Sequence, residues 1–210
     1  MQNNEIYIVD DDPAIIDSLS LLLEALDFQI TSFKNGQEFL EFDLRDFQGC
    51  VLLDVRMPGK DGMTVLQETL TKYPNTAIIM ISGHGDIPMA IKAMELGAVD
   101  FIEKPFRSSK LRQAIKKADS LVQAEKRRDV FSKEAQQKIA LLTPRELEVG
   151  EKLADGKPNK IVAFELGISI RTIEAHRAKI LSKLQVRSLA DLVKLFLANS
   201  NLENVVERDQ

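Results

Sequence analysis

The sequence predicts an α/β protein: a doubly wound five-stranded parallel sheet followed by a small all-α domain of four helices. Three observations predict it. Short apolar runs alternate with amphipathic stretches through residues 1–121, the strand-like runs stop near Arg107, and two short helical patterns in the tail meet across a three-residue turn. The apolar runs are Ile6-Tyr7-Ile8-Val9, Phe28-Gln29-Ile30-Thr31, Val51-Leu52-Leu53, Ala77-Ile78-Ile79-Met80-Ile81 and Val99-Asp100-Phe101-Ile102. Helical patterns lie between and after them, near residues 13–26, 35–41, 62–72, 86–96 and 107–120. In the first, Ile15, Ile16, Leu19, Leu22, Leu23 and Leu26 recur at the spacing of one buried helix face. Parallel strands need a crossover, usually helical, so this alternation implies a sheet covered on both faces.

Residues 122–140 contain neither Gly nor Pro and read as a charged helical linker that extends the fifth helix. Residues 141–205 read as the second domain, with helices near 144–155, 158–165, 169–184 and 188–199. Thr143-Pro144, Lys157-Pro158, Ser169 and Ser188 mark their starts, as N-cap or first-turn residues do.

The net charge of −4 is unevenly spread, at −7 over residues 1–121, +2 over 122–140 and +1 over 141–210. An acidic front half is a poor partner for nucleic acid, and the back half is not repelled by it. No apolar run is long enough to span a membrane, and the N-terminus MQNNEIYIVDDD lacks a signal core, so a cytoplasmic protein is expected. Cys50, alone and inside an apolar run, reads as core filling.

Ligands of an open parallel sheet bind at the carboxyl ends of its strands. There the sequence places Asp10, Asp11 and Asp12, then Asp54, then Ser82 followed by Gly83-His84-Gly85, then Lys104-Pro105. Converging carboxylates repel unless a cation joins them, so Asp10, Asp11 and Asp54 suggest a hard divalent ion, best Mg²⁺. A lysine and a hydroxyl opposite could hold phosphoryl oxygens, which together equips the site to place a phosphoryl group on an aspartate. Asp-rich turns and Ser-Gly pairs are individually commonplace. The joint occurrence at four strand ends carries the reading. His84 reads as a loop histidine beside the pocket, and Asp12 as the acid outside the converging pair.

The strings IVDDD (8–12), LLDVRMPGKDG (52–62) and ISGHGDIPMAIKAMELGAVDFIEKPF (81–106) resemble the receiver domain of two-component response regulators of the FixJ type, a flavodoxin-like fold. The resemblance implies that Asp54 accepts phosphoryl from a sensor histidine kinase. It implies that Asp10, Asp11, Asp54 and the Arg56 backbone carbonyl bind Mg²⁺, that Ser82 and Lys104 contact the phosphoryl group, and that Phe101 is the switch aromatic. Lys104-Pro105 would be cis. Ser82 stands where many relatives carry Thr, and Phe101 where others carry Tyr or His.

In the tail, Leu166-Gly167-Ile168 joins the two short helices as the turn of a helix-turn-helix does, leaving the second helix for the major groove of DNA. Ile173, Ile180 and Leu184 form an apolar stripe opposite a basic face. LTPRELEV, PNKIVAFELGIS and RTIEAHRAKILSKL resemble the LuxR-type DNA-binding domain. That resemblance places Glu174, Ala175 and Ala178 toward bases, and Arg171, Thr172, Arg177, Lys179 and Lys183 on phosphates, with His176 among them. Phosphorylation would promote homodimerisation through the fourth helix and fifth strand, exposing Met89, Lys92 and Ala93, so that paired half-sites are read. RNA polymerase is an expected further partner.

Two rivals are weaker. A phosphatase with an aspartate nucleophile needs a second Asp two residues on, where this chain has Arg56. A helix-turn-helix that has become a protein-binding module would not need the basic face. A transcription regulator rather than an enzyme is the expectation.

Overall fold

The computed structural model describes residues 5–45, 47, 49–83 and 87–206. His84 lies outside them. The chain divides into two compact units, Met1–Glu125 and Lys126–Gln210.

The first unit is the five-stranded parallel sheet, with β1 (Glu5–Val9), β2 (Gln29–Phe33), β3 (Cys50–Asp54), β4 (Ala77–Ser82) and β5 (Asp100–Glu103) in the spatial order β2-β1-β3-β4-β5. Its helices are α1 (Pro13–Glu24), α2 (Gly36–Glu41), α3 (Gly62–Lys72), α4 (Ile87–Glu95) and α5 (Ser108–Ile139). The period of two along each strand sends neighbouring side chains to opposite faces. Both faces are covered, so both sets are buried: Ile6, Ile8, Cys50, Leu52, Ile79 and Ile81 pack in one core with α1 and α5 residues. Tyr7, Val9, Val51, Leu53, Ile78 and Met80 pack in the other with residues of α2, α3 and α4. Cys50 is core filling as expected, and burial pushes its thiol up to about 12, which keeps it inert.

One expectation about the surface is corrected. Ala93 is fully buried in the second of these cores, not displayed on α4. The apolar residues that α4 does expose are Ile87, Ile91 and Met94, spaced i, i+4, i+7. Small residues such as Ala93 let a helix sit close to its sheet, and a pattern of mixed apolar residues does not say which stripe wins.

α5 runs unbroken for 32 residues, through the segment expected to extend the fifth helix. Val122 packs into the first unit's core, whereas Ala135 and Ile139 pack into the second's. The second unit continues with α6 (Pro144–Ala154), α7 (Asn159–Leu166), α8 (Ile170–Leu184) and α9 (Leu189–Val206). Thr143 caps α6 through a reciprocal capping box with Glu146, and Ser169 caps α8. Gly167 takes the left-handed conformation (φ 65°) that ends α7 and sets the turn into α8. α9 outruns the expected end at residue 199, since neither Gly nor Pro stops it. Ile173, Ile180 and Leu184 are fully buried, and Phe196 of α9 crosses α6 at Gly150.

A Cβ on Gly150 would lie 2.8 Å from Cζ of Phe196. Gly150→Val is therefore expected to destabilise the second unit by about 1–3 kcal/mol through overpacking. Thermal unfolding followed by circular dichroism checks this; an unchanged or higher midpoint for residues 126–210 contradicts the packing.

Candidate functional site: an acidic pocket and a basic helix

The strand order brings four chain segments to one end of the sheet. Asp54 ends β3 and is paired in register with Ile81, next to Ser82 at the end of β4. Ser82 is paired with Glu103, and the Lys104 backbone N–H donates to the Ser82 carbonyl at 2.7 Å. Lys104-Pro105 is cis. Lys104 Nζ donates to Asp10 Oδ2 and to Asp54 Oδ1, at 2.6 Å each. The second oxygens are also engaged: Asp10 Oδ1 accepts from the Asp12 N–H at 3.0 Å, and Asp54 Oδ2 from the Arg56 N–H at 2.7 Å. Asp10, Asp54 and Ser82 are all buried. Two neighbouring carboxylates this dry are tolerable because one ammonium lies between them.

The remaining acids divide by role. Asp12 caps α1, its side chain accepting from the Ala14 N–H. Asp11 is exposed on the wall of a cleft of about 560 Å³, shared with Arg56, Met57, Asp61, Met63 and Met89. Asp11 thus differs in exposure from the buried pair Asp10 and Asp54. Among the described residues, no three His, Cys, Asp or Glu side chains converge to hold a metal as they stand. Lys104 supplies one positive charge against the two buried carboxylates, and exposed Asp11 keeps its hydration. Still, Asp10, Asp11, Asp54 and the Arg56 carbonyl are an all-oxygen donor set, which suits Mg²⁺ and not a softer metal. Phe101 is half-buried against the core that includes Met80.

Gly62 was visible only as part of a motif, yet it shapes the site. Its N–H donates to the Val55 carbonyl at 2.8 Å, and a Cβ there would lie 2.0 Å from the Asp54 carbonyl oxygen. No side chain fits between α3 and the end of β3.

In the second unit α8 presents Arg171, Thr172, Glu174, Ala175, Ala178 and Lys179 on its exposed face, with His176 and Arg177 half-exposed. Thr172 is tied to the N-cap, its hydroxyl 2.8 Å from Ser169 Oγ. His176 Nδ1 is buried and has no hydrogen-bond partner among the described residues. Lys183 is engaged elsewhere: its Nζ donates to Oε2 of buried Glu146 at 2.6 Å. Reading the sequence passed over Glu146, although Thr143-x-x-Glu146 is a legible capping box.

Comparison with known proteins places both units in known families. Residues 6–116 match the response regulator receiver domain, and residues 140–196 match the bacterial regulatory proteins of the luxR family. The transcriptional regulatory protein FixJ of Bradyrhizobium diazoefficiens is 42% identical over 90% of this chain and 93% of its own length. The response regulator protein TodT of Pseudomonas putida is 40% identical over 90% of this chain and 84% of its own. Among solved structures, the response regulator StyR aligns with a TM-score of 0.73 at 36% identity, covering 91% of this chain and 97% of that one. A beryllofluoride-activated receiver domain dimer, that of NtrC4, aligns with a TM-score of 0.54 at 32% identity, covering 57% of this chain and 98% of its own.

Burial holds the Asp54 carboxyl above its ordinary value of 3.8; Lys104 pulls it back down, and the charge on Asp10 pushes it up. The folded chain thus binds that proton more tightly than the unfolded chain. The cost appears as pH rises past 3.8 and is complete above the raised folded value. Asp54→Asn removes it, so the variant should melt at a higher temperature than the parent at neutral pH, with the gain shrinking as the pH falls through the raised folded value and gone below 3.8. A variant that melts lower at pH 7 would show that the Lys104 pair outweighs desolvation.

Proposed function

This chain belongs to the response regulators that join a receiver domain to a LuxR-family DNA-binding domain, and from that premise we propose that Asp54 is its phosphoacceptor and α8 its DNA-reading helix. It is a response regulator that acts in transcription. The observation that carries the finer reading is the meeting of Lys104 with Asp10 and Asp54 at the carboxyl end of the sheet.

Receiver domains bind Mg²⁺ at the phosphorylation site, and here Asp10, Asp11, Asp54 and the Arg56 carbonyl would hold it. When bound, the ion supplies positive charge against the phosphoryl oxygens. The residues of the chain do the rest. An Asp54 oxygen attacks phosphorus, the bond from phosphorus to the histidine nitrogen of a sensor kinase breaks, and the leaving nitrogen keeps the electron pair. Lys104 leaves the carboxylate for a phosphoryl oxygen, and the Ser82 hydroxyl donates to another. Arg56 at the second position after Asp54 leaves no general acid to hydrolyse the product in the manner of a phosphatase.

Withdrawing Ser82 toward the phosphoryl group frees space into which half-buried Phe101 turns. The α4–β5 face, with Ile87, Ile91 and Met94 exposed, then docks on a second copy. One solved relative is a receiver dimer in its beryllofluoride-activated form, which supports this coupling. Pairing two α8 helices supplies contacts that one module lacks. Arg171, Arg177 and Lys179 would hold phosphates, while Glu174, Ala175 and Ala178 face bases, with Glu174 able to accept from a cytosine amino group. Thr172 and His176 border that face. A cytoplasmic protein that also contacts RNA polymerase completes the proposal. Among the described residues no helix is long and apolar enough to cross a membrane.

The test uses acetyl phosphate with Mg²⁺ on the full chain and on Asp54→Asn. The parent should gain one phosphoryl mass and roughly double its molar mass in light scattering, and the variant should do neither. Equal phosphorylation of the variant would remove Asp54; a phosphorylated parent that stays monomeric would remove the dimer.

A further inference from the structure

Glu146 is buried in the second unit, at 5% exposure, and a carboxylate in that position needs explaining. Its Oε2 accepts three hydrogen bonds: from the Thr143 N–H at 2.9 Å, the Thr143 hydroxyl at 3.0 Å and Lys183 Nζ at 2.6 Å. The Thr143 contacts are a capping box and lie within α6. The Lys183 contact reaches 37 residues along the chain, from the start of α6 to the last turn of α8. Two neighbours on α6 make similar reaches. Arg145 Nη2 donates to the Leu166 carbonyl, at the turn between α7 and α8, at 2.9 Å, and Lys152 Nζ pairs with Glu165 of α7 at 2.7 Å. The polar side of α6 therefore holds α7, the turn and α8 each by one charged group.

Lys183 also faces the wrong way for DNA. It lies nine residues after Glu174. Nine residues are two and a half turns of an α-helix, so the two side chains leave α8 on opposite sides. If Glu174 looks into the groove, Lys183 looks away from it. Removing Lys183 would leave Glu146 with Thr143 alone and release the tie between the start of α6 and the last turn of α8.

We propose that the Glu146–Lys183 pair is a clamp that positions α8 for DNA, and that Lys183 is a positioning residue and not a phosphate contact. The proposal rests on the DNA-binding reading above. Glu146 remains ionised over the whole working range, because the Lys183 hydrogen bond, followed by those from Thr143, lowers it to about 2. Loss of the Glu146 charge therefore does not release the clamp near neutral pH.

Fluorescence anisotropy of a mixed-sequence DNA duplex, titrated across salt concentrations with the full chain, tests it. The variants are Lys183→Met, Glu146→Gln, both together, and Lys183→Arg, at a temperature where circular dichroism shows each fully folded. Glu146→Gln keeps an acceptor for the capping box. Each charge-removing single variant should bind about 3- to 10-fold more weakly while keeping the parent's salt slope. The double should be no weaker than the worse single, and Lys183→Arg should bind like the parent. Arg171→Ala, three residues before Glu174 and on its side of α8, should by contrast flatten the slope by about one unit. A Lys183→Met variant that flattens the slope by the same amount, or binds as the parent does, overturns the clamp. If Glu146→Gln does not fold, the contrast between Lys183→Met and Lys183→Arg decides alone. If the parent binds no DNA, it is the DNA-binding reading that fails. The clamp is then judged by amide resonances of Ile173–Ile180, which must shift in Lys183→Met; unshifted resonances overturn it.

Discussion

One ammonium group, Lys104 Nζ, sits 2.6 Å from carboxylates on two different strand ends, and much of the first unit is arranged to allow it. Asp10 and Asp54 are both buried, and two dry neighbouring carboxylates would repel strongly. The sheet order places β1 beside β3, so the acids share an edge, and it delivers Lys104 from β5 across the intervening β4. A Lys side chain spans that gap; a shorter one would not. The same constraint explains why the pocket can do chemistry. One ammonium is shared by two carboxylates, so on the proposed function charge added at Asp54 would draw a response from Lys104, Ser82 and Phe101.

The second unit solves a related problem with different parts. A helix-turn-helix of short helices has a small core, and the fully buried Ile173, Ile180 and Leu184 fix only one side of α8. From α6, Glu146 holds the last turn of α8 through Lys183, while Arg145 and Lys152 hold α7 and its end. Cations used in that way are lost to nucleic acid. On the proposed reading, the basic character of the second unit's sequence overstates the charge available to DNA, and Arg171, Arg177 and Lys179 would carry more of the binding than a count of basic residues suggests.

The sheet and both layers of helices were legible because period-two runs and helical stripes are local patterns. The pocket was legible because strand ends in a doubly wound fold are predictable in space, so Asp10, Asp54, Ser82 and Lys104 could be brought together before any coordinates. What could not be read depended on distant partners. Asp11 and Asp10 are adjacent in sequence, and only the third dimension shows that one faces Lys104 and the other a cleft. Ala93 is indistinguishable from a surface residue until α4 is seen against its sheet. Lys183 looked like its basic neighbours because a Lys on an amphipathic helix reads the same whether it meets water, phosphate or a buried carboxylate. Its partner lies 37 residues away, beyond any periodicity. The Asp54 carbonyl against Gly62 is a steric fact that no motif states as distance.

Since the two chemistries reside in separate units, the central claim is that charge placed at Asp54 changes what α8 does. The direct measurement is DNA affinity for a fragment selected from a genomic pool, taken with and without acetyl phosphate and Mg²⁺, on the parent and on Asp54→Asn. The account predicts that phosphodonor tightens binding by the parent by about 30-fold or more and leaves the variant unmoved. Equal affinity of the parent in both states, or equal tightening of the variant, would contradict it.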